Sequence, residues 1–284
     1  MTFNHLFPNP KPIIGVIHLQ ALPGAPLFNG DLQAIYDQAI AEAEIFNQYC
    51  DGIIIENFKD APFYPHTVPS ETIAAMSAIS REVVNRIKIP LGINVLRNDA
   101  SAAMAIATAV GAQFIRVNVH INAVVADQGI IEGKAYQTLR LRAALQSKVL
   151  IFADIGVKHA KPLAGRGLDL ETKDLTERGL VDAVIVSGTR TGETTSVEDL
   201  QIVKENSKVP VLIGSGTTPD SLPILKPYAD GFIVGSYFKK DGKADNEVEV
   251  ERVLQLTEND RRLTVEDNDK IVKNSPSFEK HGDI

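Results

Sequence analysis

Cysteine and long apolar runs are both scarce in this sequence, and these absences exclude several classes of protein. The 284 residues include one cysteine, Cys50, which cannot form an internal disulfide or an all-cysteine metal site and is typical of a reducing compartment. We expect Cys50 to be a packing residue. No apolar run reaches the roughly 18 residues that indicate a membrane span, and residues 1–8 lack the basic and apolar regions of a signal peptide. The sequence therefore predicts a cytoplasmic protein without a membrane span.

Basic residues are also fewer than acidic residues in this sequence. The chain has 29 Lys and Arg against 36 Asp and Glu, which gives a formal net charge of −7 and a pI near 5.4. This balance argues against a nucleic-acid partner. Hydrophobic residues make up 44% of the chain and charged residues 23%, as in a globular domain, and the length is normal for an α/β barrel.

Two segments near the end of the chain carry the strongest positive signal. Residues 211–216 (VLIGSG) and 231–236 (GFIVGS) are each a run of buried-strand residues that stops in Gly-Ser. Adjacent parallel strands that end in small residues leave room for an oxyanion to approach the backbone N–H groups. In (β/α)8 barrels, the loops after strands 7 and 8 commonly form a phosphate site in this way. The predicted phosphate-binding residues are Gly214, Ser215, Gly216, Gly235 and Ser236.

Strand-like and helical segments alternate along the whole chain. The predicted strands are 11–19, 52–57, 91–95, 114–119, 149–154, 183–188, 211–216 and 231–236, and the last helix is predicted at 248–259. A doubly wound sheet shows the same alternation, but it places its Gly-rich turn after the first strand. We therefore predict an α/β fold, a single (β/α)8 TIM barrel over residues 1–260. Residues 261–284 are predicted to form a loosely ordered, polar C-terminal tail.

Polar residues end nearly every predicted strand on the face that alternation turns into the barrel. The residues predicted to converge at the mouth are His18, Glu56, Asn94, Arg116, Asn118, Asp154 and Ser187. Lys158 and His159 follow the fifth strand closely enough to lean over it. Asp127 and Gln128 lie in the longest loop and are a predicted lid.

Several of these residues also have a purely structural interpretation. Glu56 can pair with Arg97 or Arg116, and His18 can hydrogen-bond a neighbouring loop. We expect Asp99 to cap the helix after the third strand and Arg97 to connect loops. These alternatives stay open at the level of sequence.

Three mechanisms are compatible with this mouth. In the preferred one, Glu56 and Asp154 act as acid and base on a phosphorylated sugar or nucleotide, through N-glycosidic cleavage, isomerisation or epimerisation. Schiff-base chemistry by Lys158 is disfavoured because this lysine follows the strand and does not lie on it. A divalent metal held by His18, Glu56, Asp154 and His159 is third, since no spacing motif supports it. The predicted catalytic residues are Glu56, Asp154, His18 and Lys158, with no cofactor required by the preferred mechanism.

Distinctive motifs extend over about residues 11–255. They include GVIHL (15–19), IENFKDAPF (55–63), LGINVLRNDA (91–100), DQGIIEG (127–133), ADIGVKHA (153–160), SGTRTG (187–192), GSGTTP (214–219) and ADGFIVGSYFK (229–239). Together they resemble the BtpA family, also called BtpA/SgcQ, a set of predicted TIM-barrel proteins. The departures are small: residues 20–21 stand where the family tends to have prolines, and Ser221 stands where it often has Asn.

The resemblance implies two different functions. The namesake branch resembles a photosystem I biogenesis factor associated peripherally with thylakoid membranes, and another branch carries nucleosidase-like or sugar-metabolism labels. The sequence has no membrane-binding helix with a basic face, and an assembly role gives no reason for so many buried polar groups in one mouth. We therefore predict an enzyme that takes a small phosphorylated metabolite. A non-enzymatic assembly factor or metabolite-binding scaffold is the alternative. Analogy with barrels of this size predicts a homo-oligomer.

Overall fold

The computed structural model describes residues 1–156, 159–188 and 195–274. Eight parallel strands in the described chain close into a barrel in which each strand pairs with its sequence neighbours and the last pairs with the first. The barrel strands are β1 (Ile13–His18), β2 (Gly52–Glu56), β3 (Leu91–Asn94), β4 (Phe114–Val117), β5 (Leu150–Ile155), β6 (Ala183–Val186), β7 (Val211–Ile213) and β8 (Gly231–Val234). The predicted (β/α)8 barrel is confirmed.

Apart from α1 (Phe3–Leu6), which precedes β1, the helices follow the strands and cover the outside of the barrel. They are α2 (Leu32–Tyr49), α3 (Ser70–Val84), α4 (Ala100–Val110), α5 (Ala135–Ala144), α6 (Leu168–Glu177), α7 (Val197–Asn206), α8 (Leu222–Leu225) and α9 (Val250–Asn274). Asp99 caps α4 by accepting the Ala102 N–H at 2.9 Å, as predicted. None of the described helices is long and apolar enough to cross a membrane.

The last helix is longer than the sequence indicated. Its predicted end was residue 259, but α9 continues to Asn274. Residues 275–284 lie outside the described residues, and the boundary between barrel and tail at residue 260 stays a prediction.

Side-chain alternation divides the core into two layers. Ile54, Phe114 and Phe152 belong to the cluster inside the barrel, whereas Ile53 and Ile115 pack in the cluster shared with the outer helices. Cys50 ends α2 and is buried. Burial raises the pKa of its thiol, and Asp51 raises it further, so Cys50 stays protonated and packs as predicted.

The N-terminal end of the barrel is closed by aromatic rings. The ring centroid of Phe3 in α1 lies 5.7 Å from that of Phe152, and Phe7 lies 6.0 Å from Phe114. Phe114 and Phe152 stack on each other at 4.6 Å. The apolar plug leaves the opposite end of the strands as the open one.

A small sheet that the sequence did not predict stands beside the open end. Residues 123–126, 129–132 and 160–162 form three antiparallel strands within the loops after β4 and β5. Val124 and Ile131 pack one face of this lid sheet onto Val119. Asp127 and Gln128 form its hairpin turn, and both line the central cavity.

Candidate active site

A cavity of about 1260 Å³ opens at the C-terminal ends of the barrel strands. The predicted residues that line it are His18, Glu56, Arg116, Asn118, Asp154, Gly214, Ser215, Gly216, Gly235 and Ser236. Asn94 and Ser187 support this lining through hydrogen bonds to Asn118 and Asp154. Lys158, the remaining predicted site residue, lies outside the described residues.

Asp154 is the centre of a buried hydrogen-bond network. Arg116 donates to both of its carboxylate oxygens, from Nε at 2.9 Å and from a terminal nitrogen at 2.8 Å. Asn118 Nδ2 donates to Asp154 at 3.0 Å, and the Ser187 hydroxyl lies 3.3 Å away. A bidentate pair of this kind fixes the orientation of both groups. The carboxylate is therefore already committed to partners within the protein.

The electrostatics of Arg116 follow from this pairing. Burial lowers its pKa, but the Asp154 carboxylate raises it through charge and hydrogen bonding, and Glu56 adds to this effect. The net result is a pKa above the ordinary arginine value, so the guanidinium is a permanent positive charge at the cavity floor. Asn94 continues the network by donating to the Arg116 carbonyl at 3.1 Å and to Asn118 Oδ1 at 3.2 Å.

His18 and Glu56 form a second, separate pair at the ends of β1 and β2. His18 Nδ1 lies 2.9 Å from the carbonyl oxygen of Ala244, which only accepts, so Nδ1 carries a hydrogen. The other nitrogen, Nε2, lies 3.3 Å from Glu56 Oε1. That contact is a hydrogen bond when one further proton lies on the imidazole or on the carboxyl group. The two side chains thus share a proton site that faces the cavity.

Residues 239–249, here called the strap, cross the rim of the barrel after β8. Its tip contacts the first two loops, because Ala244 accepts from His18 and Lys59 Nζ donates to the Asp245 carbonyl at 2.9 Å. Its first residue, Lys239, is fully buried in an ion pair with Glu42 at 2.6 Å. The strap therefore holds the His18 ring from a point 226 residues away in sequence.

The Gly-Ser turns after β7 and β8 are tight and close to these pairs. A Cβ on Gly214 would lie 2.5 Å from Ile185 Cγ2 and 2.5 Å from Ser187 Oγ, and a Cβ on Gly235 would lie 3.2 Å from His18 Nε2. A side chain at Gly214 would therefore force its neighbours to move, whereas one at Gly235 would press closely against His18. Ser215 Oγ accepts from the Gly188 N–H at 2.8 Å, which connects the turn after β7 to the end of β6.

Ser221 supports the same turn. Its hydroxyl donates to the Gly216 carbonyl at 2.8 Å and lies 2.9 Å from the Thr218 N–H. The serine that departs from the usual family residue thus stabilises the turn after β7.

Arg97 is a cavity residue, although the sequence predicted only that it connects loops. It lines the cavity and is buried. Burial and the nearby Arg116 charge lower the pKa of the Arg97 guanidinium, whereas the Asp154 carboxylate opposes this shift. The available signal was its position directly after β3, within the RND segment. Arg97 brings a second guanidinium to the cavity.

The described residues contain no group of three or more His, Cys, Asp or Glu side chains arranged to hold a metal ion. Of the four residues in the metal alternative, Asp154 has both oxygens bound by Arg116. His18 and Glu56 face each other, and His159 lies on the cavity lining.

Fold and site together define a TIM-barrel protein with a cavity at the C-terminal ends of its strands that contains buried, paired polar side chains. The chain belongs to the BtpA family, whose family model matches residues 9–262. It is 47% identical over 249 residues to an uncharacterised protein of Methanocaldococcus jannaschii, covering 87% of this chain and 94% of the relative. It is 43% identical over 254 residues to the photosystem I biogenesis protein BtpA of Synechocystis, covering 89% and 88%.

Solved structures share the fold at low sequence identity. A mutant tryptophan synthase α-subunit from Pyrococcus furiosus has a TM-score of 0.55 at 14% identity, covering 91% of this chain and 99% of that chain. N-(5'-phosphoribosyl)anthranilate isomerase from the same organism has a TM-score of 0.53 at 14% identity, covering 88% and 98%. At this identity the likeness establishes the barrel fold alone.

Proposed function

We propose that the protein is an enzyme that acts on a phosphorylated sugar or a nucleotide by acid–base chemistry. One observation carries this proposal: the phosphate-type turn and the proton-sharing pair meet in one cavity. A Cβ on Gly235 would lie 3.2 Å from His18 Nε2, so a phosphate held at the turns keeps the rest of the substrate beside His18 and Glu56. Backbone N–H groups at such turns suit an oxyanion.

The hydrogen bonds favour different roles for the two carboxylates. Glu56 shares a proton site with His18 and is the acid or base, with His18 as its proton partner. Asp154 is bound on both oxygens, and we assign it the task of orienting Arg116 and Asn118. This differs from the paired acid–base role expected from the sequence. Proton transfer at one face of the substrate suits N-glycosidic cleavage or isomerisation, whereas epimerisation would also need a proton donor at the opposite face.

An assembly function is the second candidate, and the cyanobacterial relative supports it. That protein is named for photosystem I biogenesis and is 43% identical to this chain. An assembly surface gives no reason for the buried network around Asp154, because each buried polar group is unfavourable unless it is paired or used. The enzyme proposal accounts for this network, and the assembly proposal does not.

Thermal shift with a panel of sugar phosphates and nucleotides tests the proposal. We expect at least one phosphorylated compound to raise the melting temperature, while its dephosphorylated form has little effect. Glu56→Gln should abolish turnover of that compound and keep the shift, because the amide fills the same space but cannot take up a proton. Glu44→Gln, the same substitution at an exposed site on α2, is the control. No shift with any phosphorylated compound, together with a protein partner that co-purifies, would favour assembly.

A further inference from the structure

We propose that the substrate carries an aromatic or heteroaromatic ring at the end opposite its phosphate. This inference rests on the proposed function for the phosphate half of the ligand. It narrows the substrate class from any sugar phosphate to nucleotide-like compounds. The observations that carry it concern the apolar side chains on the cavity lining.

Apolar side chains line part of the cavity, beside Lys59, Arg97, Asp127 and Gln128 from the same loops. The residues that form this ring wall are Leu27, Phe58, Ala61, Phe63, Leu96 and Val125. They come from the loops after β1, β2, β3 and β4, whereas the Gly-Ser turns follow β7 and β8. In a closed barrel of eight strands, β3 and β4 lie across the axis from β7 and β8. Leu96 and Val125 therefore lie across the cavity from the Gly-Ser turns, and the other four ring-wall residues, on the loops after β1 and β2, lie between.

The ring wall leaves apolar surface in contact with water. Leu27 is 69% exposed and Val125 is 45% exposed, and the rings of Phe58 and Phe63 are half-buried. Single exposed apolar residues are common on protein surfaces. Here such residues from separate loops converge on one cavity, and removing their surface from water favours binding of an apolar partner. A flat aromatic ring matches a wall that includes phenyl side chains.

Phe58 is the ring-wall residue that contacts the His18–Glu56 pair. Its ring stacks on the His18 imidazole, with 4.1 Å between centroids and 14° between planes. Along the cavity, the Gly-Ser turns thus come first, the His18–Glu56 pair comes next, and the ring wall follows. A ligand with a phosphate at one end and an aromatic ring at the other spans this order and places its middle beside His18 and Glu56.

The ring wall also gives a function to a motif that acid–base chemistry leaves unexplained. Phe58 and Phe63 belong to the IENFKDAPF stretch at residues 55–63, in which Glu56 is the proposed acid or base. A sugar phosphate without a ring would use Glu56 and the Gly-Ser turns, whereas Phe58 would only support His18 and Phe63 would have no role.

Calorimetric titration with probes that vary phosphate and ring independently tests the inference. The probes are AMP and UMP (both groups), adenosine (ring only), ribose 5-phosphate (phosphate only) and ribose (neither). We expect AMP or UMP to bind at least about tenfold more tightly than ribose 5-phosphate. The double variant Leu27→Ser/Val125→Ser should reduce this advantage and leave ribose 5-phosphate binding unchanged. Ile130→Ser/Leu163→Ser, at sites that are 52% and 56% exposed, is the control and should keep the advantage.

The outcomes separate this inference from the proposed function. Ribose 5-phosphate binding without any gain from either nucleobase would overturn the ring wall and keep the phosphate site. Adenosine binding without ribose 5-phosphate binding would keep the ring wall and overturn the phosphate site. If Leu27→Ser/Val125→Ser still binds AMP or UMP more tightly than ribose 5-phosphate by the same factor, the ligand ring does not bind at the ring wall. Binding by none of the probes contradicts both proposals.

Discussion

The two ends of the barrel are filled in opposite ways by the same strands. On β4, Phe114 packs in the aromatic plug at the closed end, and Arg116, two residues later, lines the cavity. On β5, Phe152 packs in the same plug, and Asp154 lines the cavity. Each strand face therefore changes from apolar to buried polar within two residues. Apolar burial stabilises the fold, whereas paired charges seldom stabilise it more than apolar residues of similar size would. We therefore expect the closed end to determine stability and the open end to bind the ligand.

Phe152→Ala at the closed end should give the largest loss of stability. The ring contacts three other aromatic rings, so its removal leaves a cavity that cannot collapse easily. We expect the free energy of unfolding to fall by roughly 3–5 kcal/mol, measured by chemical denaturation. Ligand binding below the melting temperature should be retained. Tyr64→Ala, at a site that is 56% exposed, should change stability by less than about 0.5 kcal/mol. A loss of binding in Phe152→Ala as large as the loss of stability would break the separation between the two ends.

Arg116→Met at the open end should cost about 3 kcal/mol, because it leaves the buried Asp154 carboxylate without its charge partner. The double variant Arg116→Met/Asp154→Leu should regain most of this stability, since an apolar pair replaces a buried ion pair, and should still fail to bind ligand. Denaturation and calorimetry on both variants measure the two effects. A double variant that is no more stable than Arg116→Met would show that the pair itself stabilises the fold.

His120 should show the smallest effect, because it is a buried polar residue that does not line the cavity. Its Nε2 lies 2.9 Å from the Gly179 carbonyl, and burial lowers its pKa although that carbonyl opposes the shift. Below about pH 6.5, the ordinary histidine value, the unfolded chain takes up a proton that the folded protein excludes. The free energy of unfolding should therefore fall as the pH drops below that value. Above it, the ionisation of His120 should not contribute to the pH dependence of stability.

His120→Gln, which can still donate to Gly179, should remove part of this acid-side loss. Denaturation curves at pH 8 and pH 5.5 for the wild type and the variant provide the measurement. Identical pH dependence in the two proteins would refute the assignment.

The sequence predicts most of the barrel because each strand carries its own local signal. Alternation also predicts which residues face the mouth, as Arg116 and Asp154 show. The pairing among them was not predictable, because it depends on contacts between distant segments. His18 is held by Ala244, 226 residues away, and Arg116 by Asp154, 38 residues away. Hydrophobic periodicity has no information about such contacts.

Three other features escaped prediction for different reasons. The lid sheet is built from strands of three and four residues, which are too short to show a clear period. The helix α9 extends past residue 259 through a mostly charged segment, where apolar spacing gives little signal. Arg97 follows a strand by only three residues, and this position alone does not distinguish a cavity residue from a loop contact.

Oxyanion binding at the Gly-Ser turns tests the central claim most directly. Crystals soaked in tungstate, an electron-dense phosphate analogue, should show an anomalous peak within hydrogen-bond distance of the backbone N–H groups of the turns at Gly216 and Ser236. The peak should be lost in Ser215→Asp, whose carboxylate can still accept from Gly188 but repels an anion, and kept in Gln201→Glu on the exposed face of α7. Tungstate bound only outside the cavity, or bound equally well in Ser215→Asp, would contradict the account.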